Sequence, residues 1–284
     1  MLSLSRFICF FTLIALQPTA LIAQSLLYKI EGEAIKYDVY LYGTIHAMPQ
    51  SEFFIDDVVL DKLKKSEQVV FEVDISNPEV LNEVQSAMMM KGTSLDNLLT
   101  PQEIASLSQF FSDSLKFPYF FIKHIKPIML SSFLLPKLVG ESVVSYENYF
   151  LELAQNQKKS VKGFETVNQQ IAYMDSIPLQ EQAKVLMESI SNYSDTKAMY
   201  HELVQVYKSQ NIEDIHSFLV SLTLKNPLYQ KYLIDERNKN WVSQIIAFGN
   251  TGITFIAVGC GHLGGENGLI NLLEQLNLSV LPIE

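Results

Sequence analysis

The run Ile253–Val258 is apolar but for Thr254 and stops at Gly259. A short apolar run of this kind, rich in β-branched residues, makes a strand covered on both faces. Such a strand needs helices above and below it, which directs the chain to an α/β architecture. Weaker strand signals flank it in sequence. Tyr37–Tyr42 alternates and meets Gly43, Val69–Val73 is apolar except for Glu72, Ser160–Phe164 leads directly into Glu165, and Ser279–Ile283 offers a last strand.

Helical patterns fill the intervals. Thr100-Pro101-Gln102-Glu103 sets a cap, a first-turn proline and a capping-box carboxylate in order. Pro178 opens a segment in which Leu179, Ala183, Leu186, Met187 and Ile190 share one face, and Leu269, Leu272, Leu273 and Leu276 repeat the spacing after Gly265. The stretches Pro78–Gln157 and Thr166–Phe248 read as nearly all helical. The expected fold is α/β: a central, mostly parallel or mixed sheet flanked by helices, with a helical cap inserted in the middle of the chain. With 284 residues, 48% of them hydrophobic, the chain can fill one such domain.

The amino terminus has a different character. Arg6 is the only charge before the apolar run Phe7–Leu16, and small residues follow at Ala20 and Ala23. This is the pattern of a secretory signal peptide, giving a signal over residues 1–23 and a single domain over 24–284. The expected location is secreted or periplasmic, or membrane-anchored if the signal stays uncleaved. The run is shorter than the ~20 residues that span a bilayer, and no later segment reads as a membrane span. Cys9 lies in the signal, so the mature chain would keep the single thiol Cys260 and no internal disulfide. A net charge of -10 argues against nucleic acid as a partner.

The reactive side chains fall at strand ends. His46 comes three residues after Gly43, and His262 three residues after Gly259; Glu72 lies in the second strand and Glu165 follows the third. In open α/β sheets ligands bind outside the carboxyl ends of the strands, so these four residues can meet in one crevice. Two imidazoles with one or two carboxylates form the ligand set of a hydrolytic site for a divalent ion of the Zn, Mn or Co type. Glu72, a carboxylate in an apolar run, needs either a partner or a raised pKa. Cys260 has two readings, a metal ligand or merely a small residue between glycines. Several other patterns carry nothing: Gly259–Gly264 formally matches a dinucleotide fingerprint but too little chain follows, and His201-Glu202 lacks a second histidine at Gln205.

Taken in order, Tyr42-Gly43-Thr44-Ile45-His46, Phe71-Glu72-Val73-Asp74, Lys126-Pro127, Gly163-Phe164-Glu165-Thr166, Arg237-Asn238, Val258-Gly259-Cys260-Gly261-His262-Leu263 and Gly268-Leu269 resemble the TraB/GumN family (the TraB/PrgY/TIKI group). The resemblance implies a fold akin to the erythromycin-esterase and ChaN-like group. For the TIKI branch it also implies a metal-dependent protease acting outside the cell. It assigns the metal to His46, His262 and Glu72 and adds Glu165 and Arg237 as site residues. On this basis the chain is expected to be an exported metallohydrolase, peptidase-like, with a peptide or protein substrate. Glu165 would act as base or water positioner, Arg237 would stabilise the oxyanion, and Glu72 could exchange roles with Glu165. The alternatives are a non-catalytic metal- or haem-binding protein of the same fold, and an esterase-like hydrolase that uses His46 and Glu72 without metal.

Overall fold

The computed structural model describes residues 24–222 and 226–284. Residues 1–23, the expected signal peptide, lie outside them. The strands are β1 (Leu27–Glu31), β2 (Val39–Thr44), β3 (Met48–Pro49), β4 (Gln68–Val73), β5 (Val143–Val144), β6 (Ser160–Glu165), β7 (Thr254–Gly259) and β8 (Ser279–Pro282). Six of them form one sheet in the order β6-β4-β7-β2-β1-β8. The first four in that order are mutually parallel, and β1 is antiparallel to both β2 and β8. β3 and β5 make a separate small ribbon.

The apolar run that pointed to this architecture holds the centre of it. Phe255, Ile256, Ala257 and Val258 on β7 are all inaccessible to solvent, as are Val69 and Val70 beside them on β4. Burying each such large side chain stabilises the fold by roughly 1.5–3 kcal/mol. The mostly parallel, mixed sheet matches the expected class. β1 is a strand the sequence pattern does not mark, although Tyr28 and Ile30 are buried while Lys29 and Glu31 are partly exposed. Glu165 proves to be the last residue of its strand rather than the first beyond it.

Helices fill both long intervals and pack on each other. Pro127–Ser132 and Pro101–Phe110 lie against Leu179–Ser191, and Leu135–Val139 lies against Tyr193–Lys208. The capping box at Thr100 forms as its sequence dictates: the Thr100 N–H donates to the Glu103 carboxylate (2.8 Å), and the Glu103 N–H donates to Thr100 Oγ1 (3.3 Å). A cavity of about 1080 Å³ opens between these helices and the end of β2, with Ile45, His46 and Ala47 on one wall. Among the described residues no helix is long and apolar enough to cross a membrane.

Candidate functional site

Because β6, β4, β7 and β2 run parallel and adjacent, their carboxyl ends lie side by side. Each contributes one group: Glu165 ends β6, Glu72 sits one residue from the end of β4, and His262 and His46 follow β7 and β2. The two Gly-x-x-His segments meet through a missing side chain. A Cβ placed on Gly259 would stand 3.3 Å from Glu72 Oε1, 3.7 Å from His46 Nε2 and 3.8 Å from His262 Cδ2. Gly43 plays the matching part on β2, where a Cβ would press on Leu263 and Cys260. Tyr207 pins that strand end by donating to the Gly43 carbonyl (2.9 Å).

Arg237 ties the acids together. It stands in the first turn of the Glu236–Gly249 helix, which continues from a π-helical turn over Gln230–Asp235. Turns of this type concentrate at functional sites. Its Nη2 meets Glu72 Oε2 at 2.6 Å, its Nε donates to both Glu165 oxygens at 3.1 Å, and its Nη1 donates to the Leu233 carbonyl at 3.1 Å. Trp241, one turn along the same helix, donates its indole N–H to Glu165 (2.8 Å) and supports the guanidinium from a ring centroid 4.7 Å away. The same indole lies 4.4 Å from the His262 ring and stacks on Phe164. The partner that Glu72 required is therefore present. Burial alone would raise the Glu72 pKa, but Arg237, both histidines and the Gly259 N–H hold it well below the usual carboxylate range. Glu165 goes the other way, its pKa raised by burial despite Arg237.

The two imidazoles are oriented alike. Asn238 donates its amide hydrogens to the carbonyls of His262 (3.1 Å) and Asn267 (2.8 Å), which turns its Oδ1 onto His262 Nδ1 at 2.7 Å. This makes His262 an Nδ1–H tautomer with an Nε2 lone pair, and Arg237 Nη1 donates to that lone pair at 3.2 Å. Burial is the main reason its pKa falls to about 3. His46 Nδ1 bonds Glu147 Oε1 at 3.0 Å, and Thr44 and Ser145 hydroxyls hold the same carboxylate at 2.7 and 2.8 Å. His46 sits on the wall of the deep crevice, enclosed by protein yet with its side chain 64% accessible to solvent. Enclosure lowers its pKa, but the Glu147 bond and charge, helped by Glu72, outweigh this and push it up to about 9.

Glu147, Trp241 and Gln170, which bonds Glu72 at 3.3 Å, did not emerge from sequence reasoning. Trp241 had a usable signal, since it falls one helical turn after Arg237. Glu147 had none, because it is 101 positions from His46. Cys260 is buried against Gly43, and burial pushes its thiol pKa up to about 12, so it stays neutral. Among the described residues no three His, Cys, Asp or Glu side chains stand ready as a metal cluster. The donor set nevertheless fits a divalent ion in kind. His262 Nε2 and Glu72 Oε1 are 3.7 Å apart, close to the ~3.4 Å separating two ligands of a tetrahedral ion. Both imidazoles have Nδ1 engaged by an oxygen, the supporting arrangement typical of ligating histidines. Two carboxylates, Glu72 and Glu165, flank one guanidinium, and a third, Glu147, is held against His46.

At the carboxyl ends of the parallel strands of this α/β protein, two oriented imidazoles meet an arginine-bridged pair of glutamates, with His46 also on the wall of the crevice. The chain matches the TraB/PrgY/gumN family model over residues 26–282 and belongs to that family. No curated protein and no solved structure matches it.

Proposed function

We propose that the chain is a metal-dependent hydrolase, peptidase-like in substrate, with His46, His262 and Glu72 as the residues that hold a divalent ion. The observation that carries this reading is the shared anchoring of both Nδ1 atoms, which leaves both imidazoles to serve through Nε2 where they flank Gly259. Bound there, the ion would supply a water of lowered pKa and polarise the scissile carbonyl. His262 already has the required tautomer, and ion binding would exchange the Arg237 hydrogen bond on its Nε2 for a ligand bond. Arg237 keeps Glu165 fixed, and Glu165, with its raised pKa, is the group suited to accept and return a proton. The crevice beside His46, lined by both apolar and polar side chains, would receive the substrate. Export is part of the reading and rests on the sequence of residues 1–23.

A second reading has one observation in its favour: Arg237 contacts both Glu72 and His262, so the site is already neutralised without an ion. In that case His46, protonated and held by Glu147, would serve as general acid for a metal-free hydrolysis.

The test uses the purified protein with elemental analysis and a peptide-cleavage assay. The metal reading expects one divalent ion per chain and activity abolished by chelation. It also expects both properties to be lost in His46→Ala and in His262→Ala. Unchanged metal content and activity in both variants overturns it, and cleavage that persists after exhaustive chelation selects the metal-free reading.

A further inference from the structure

Far along the chain from these residues, Phe117, Phe120 and Phe121 are 46%, 73% and 64% exposed. Single exposed apolar residues are ordinary, but three phenylalanines within five positions are not. The local structure holds them outward. Lys116, in the left-handed conformation (φ 61), ends the preceding helical segment, and Pro118 opens the short helix Tyr119–Ile122. Ile122 is buried and the Tyr119 hydroxyl bonds Asp96 at 2.7 Å, which anchors the turn from both ends of that helix. Phe120 and Phe121 between them have nowhere to go but solvent, where their rings meet edge to face at 5.6 Å.

The rim of this turn is cationic. Lys123 Nζ lies 5.9 Å from the Phe120 ring centroid, and Lys116 precedes Phe117. Exposed Lys91 belongs to a loop strapped alongside: the Met90 N–H donates to the His124 carbonyl (2.7 Å), and the Leu95 N–H donates to the Lys123 carbonyl (2.8 Å). The acids nearby are Asp96, engaged by Tyr119, and Asp113, whose backbone carbonyl accepts a bond from Lys116 (3.0 Å). Lysines thus outnumber acids around the rings, in a chain whose net charge is -10. Aromatic rings bordered by long cationic side chains match the chemistry of a lipid headgroup boundary. A protein partner fits less well. Even fully covered, three rings at about 150–250 Å² each fall short of the ~800 Å² per side of a standard interface.

We propose that the Phe117–Phe121 turn seats on an anionic lipid surface, with the rings entering the headgroup boundary and Lys91, Lys116 and Lys123 facing lipid phosphates. None of these residues lines the crevice or bonds to the histidine–carboxylate site, so the proposal is independent of the hydrolase reading. The test is co-sedimentation of the full chain with phosphatidylglycerol-containing vesicles and with pure phosphatidylcholine vesicles. It compares wild type with Phe120→Ser/Phe121→Ser and with Lys116→Gln/Lys123→Gln, all carrying the same amino-terminal run. We expect preferential binding to the anionic vesicles that weakens with salt. It should fall about tenfold or more in the serine variant, and the glutamine variant should lose the anionic preference. Thermal melts of both variants should overlay wild type, because the altered side chains are on the surface. The proposal is overturned if wild type ignores both vesicle types or if the serine variant binds as wild type does. It is equally overturned if sedimentation velocity shows the serine substitutions dissociating a dimer, which would make the turn a protein interface.

Discussion

The Nδ1 atoms of His46 and His262 face different partners, a carboxylate in one case and an amide oxygen in the other, and the consequences for charge are opposite. Glu147 stabilises the protonated form of His46, whereas burial, with Arg237 beside it, keeps His262 neutral and Asn238 only orients its ring. In metal-free protein, Glu147→Gln should bring the His46 imidazole down from about 9 toward its ordinary 6.5, which NMR titration of the ring protons would follow. An unmoved midpoint would mean that Glu147 does not set this charge. Arg237 has a structural share as well. Its side chain is 6% exposed and it faces two glutamates that are 12% and 5% exposed. Arg237→Met would leave those carboxylates uncompensated and should cost about 3–5 kcal/mol, measured by denaturant unfolding; a loss within ~0.5 kcal/mol would show that the acids relax by protonation or hydration instead.

Two glycines separate what the strands need from what the site needs. A Cβ on Gly163 of β6 would meet the Asp74 nitrogen at 2.4 Å and the Val73 carbonyl carbon at 2.8 Å, both backbone atoms that cannot swing aside. Gly163→Ala should therefore destabilise the β4–β6 pairing by about 1–3 kcal/mol. Gly259→Ala has an ordinary φ of -53, crowds only the Glu72 carboxylate, and brings a methyl into contact with His46 and His262. It should melt near wild type while losing metal uptake and turnover; retained turnover would show that the space at Gly259 is not used. Elements of this kind were legible from sequence to different degrees. β7 announced itself because burial on both faces leaves the apolar string Phe255–Val258, and the Thr100 cap because its chemistry is local. Strand-end placement of Glu72, Glu165, His46 and His262 followed from the same strings. β1 escaped because its alternation is short and abuts the apolar amino terminus. Val143–Val144 escaped because two residues carry no period. Glu147 depends on a helix start meeting a strand end 101 positions away, and no local pattern encodes such a meeting.

At the scale of the molecule, the paired histidines shape the pH range over which the metal-free fold is firm. His262, with its folded pKa depressed to about 3, contributes stability that is full above 6.5 and lost as pH falls toward 3. His46, with its folded pKa raised to about 9, contributes stability that is full below 6.5 and lost as pH rises toward 9, a smaller effect because its side chain is largely accessible to solvent. Denaturation midpoints should decline on both sides of roughly pH 6.5, more steeply on the acid side. A profile whose acid limb is unchanged in His262→Gln would sink the assignment. The strand order has a consequence of a different kind, in time rather than in space. β7, which comes after more than two hundred residues of β1, β2, β4, β6 and intervening helices, is inserted between β4 and β2. Neither of those neighbours can close the sheet's centre without it, so a nascent chain ending near residue 250 lacks the strand that joins its two halves. The emergence of β7 thus controls the first complete core, and pairing across such sequence distances is slow. Until residues 254–259 emerge, the sheet stays in two unjoined parts whose open edges are exposed to wrong pairing.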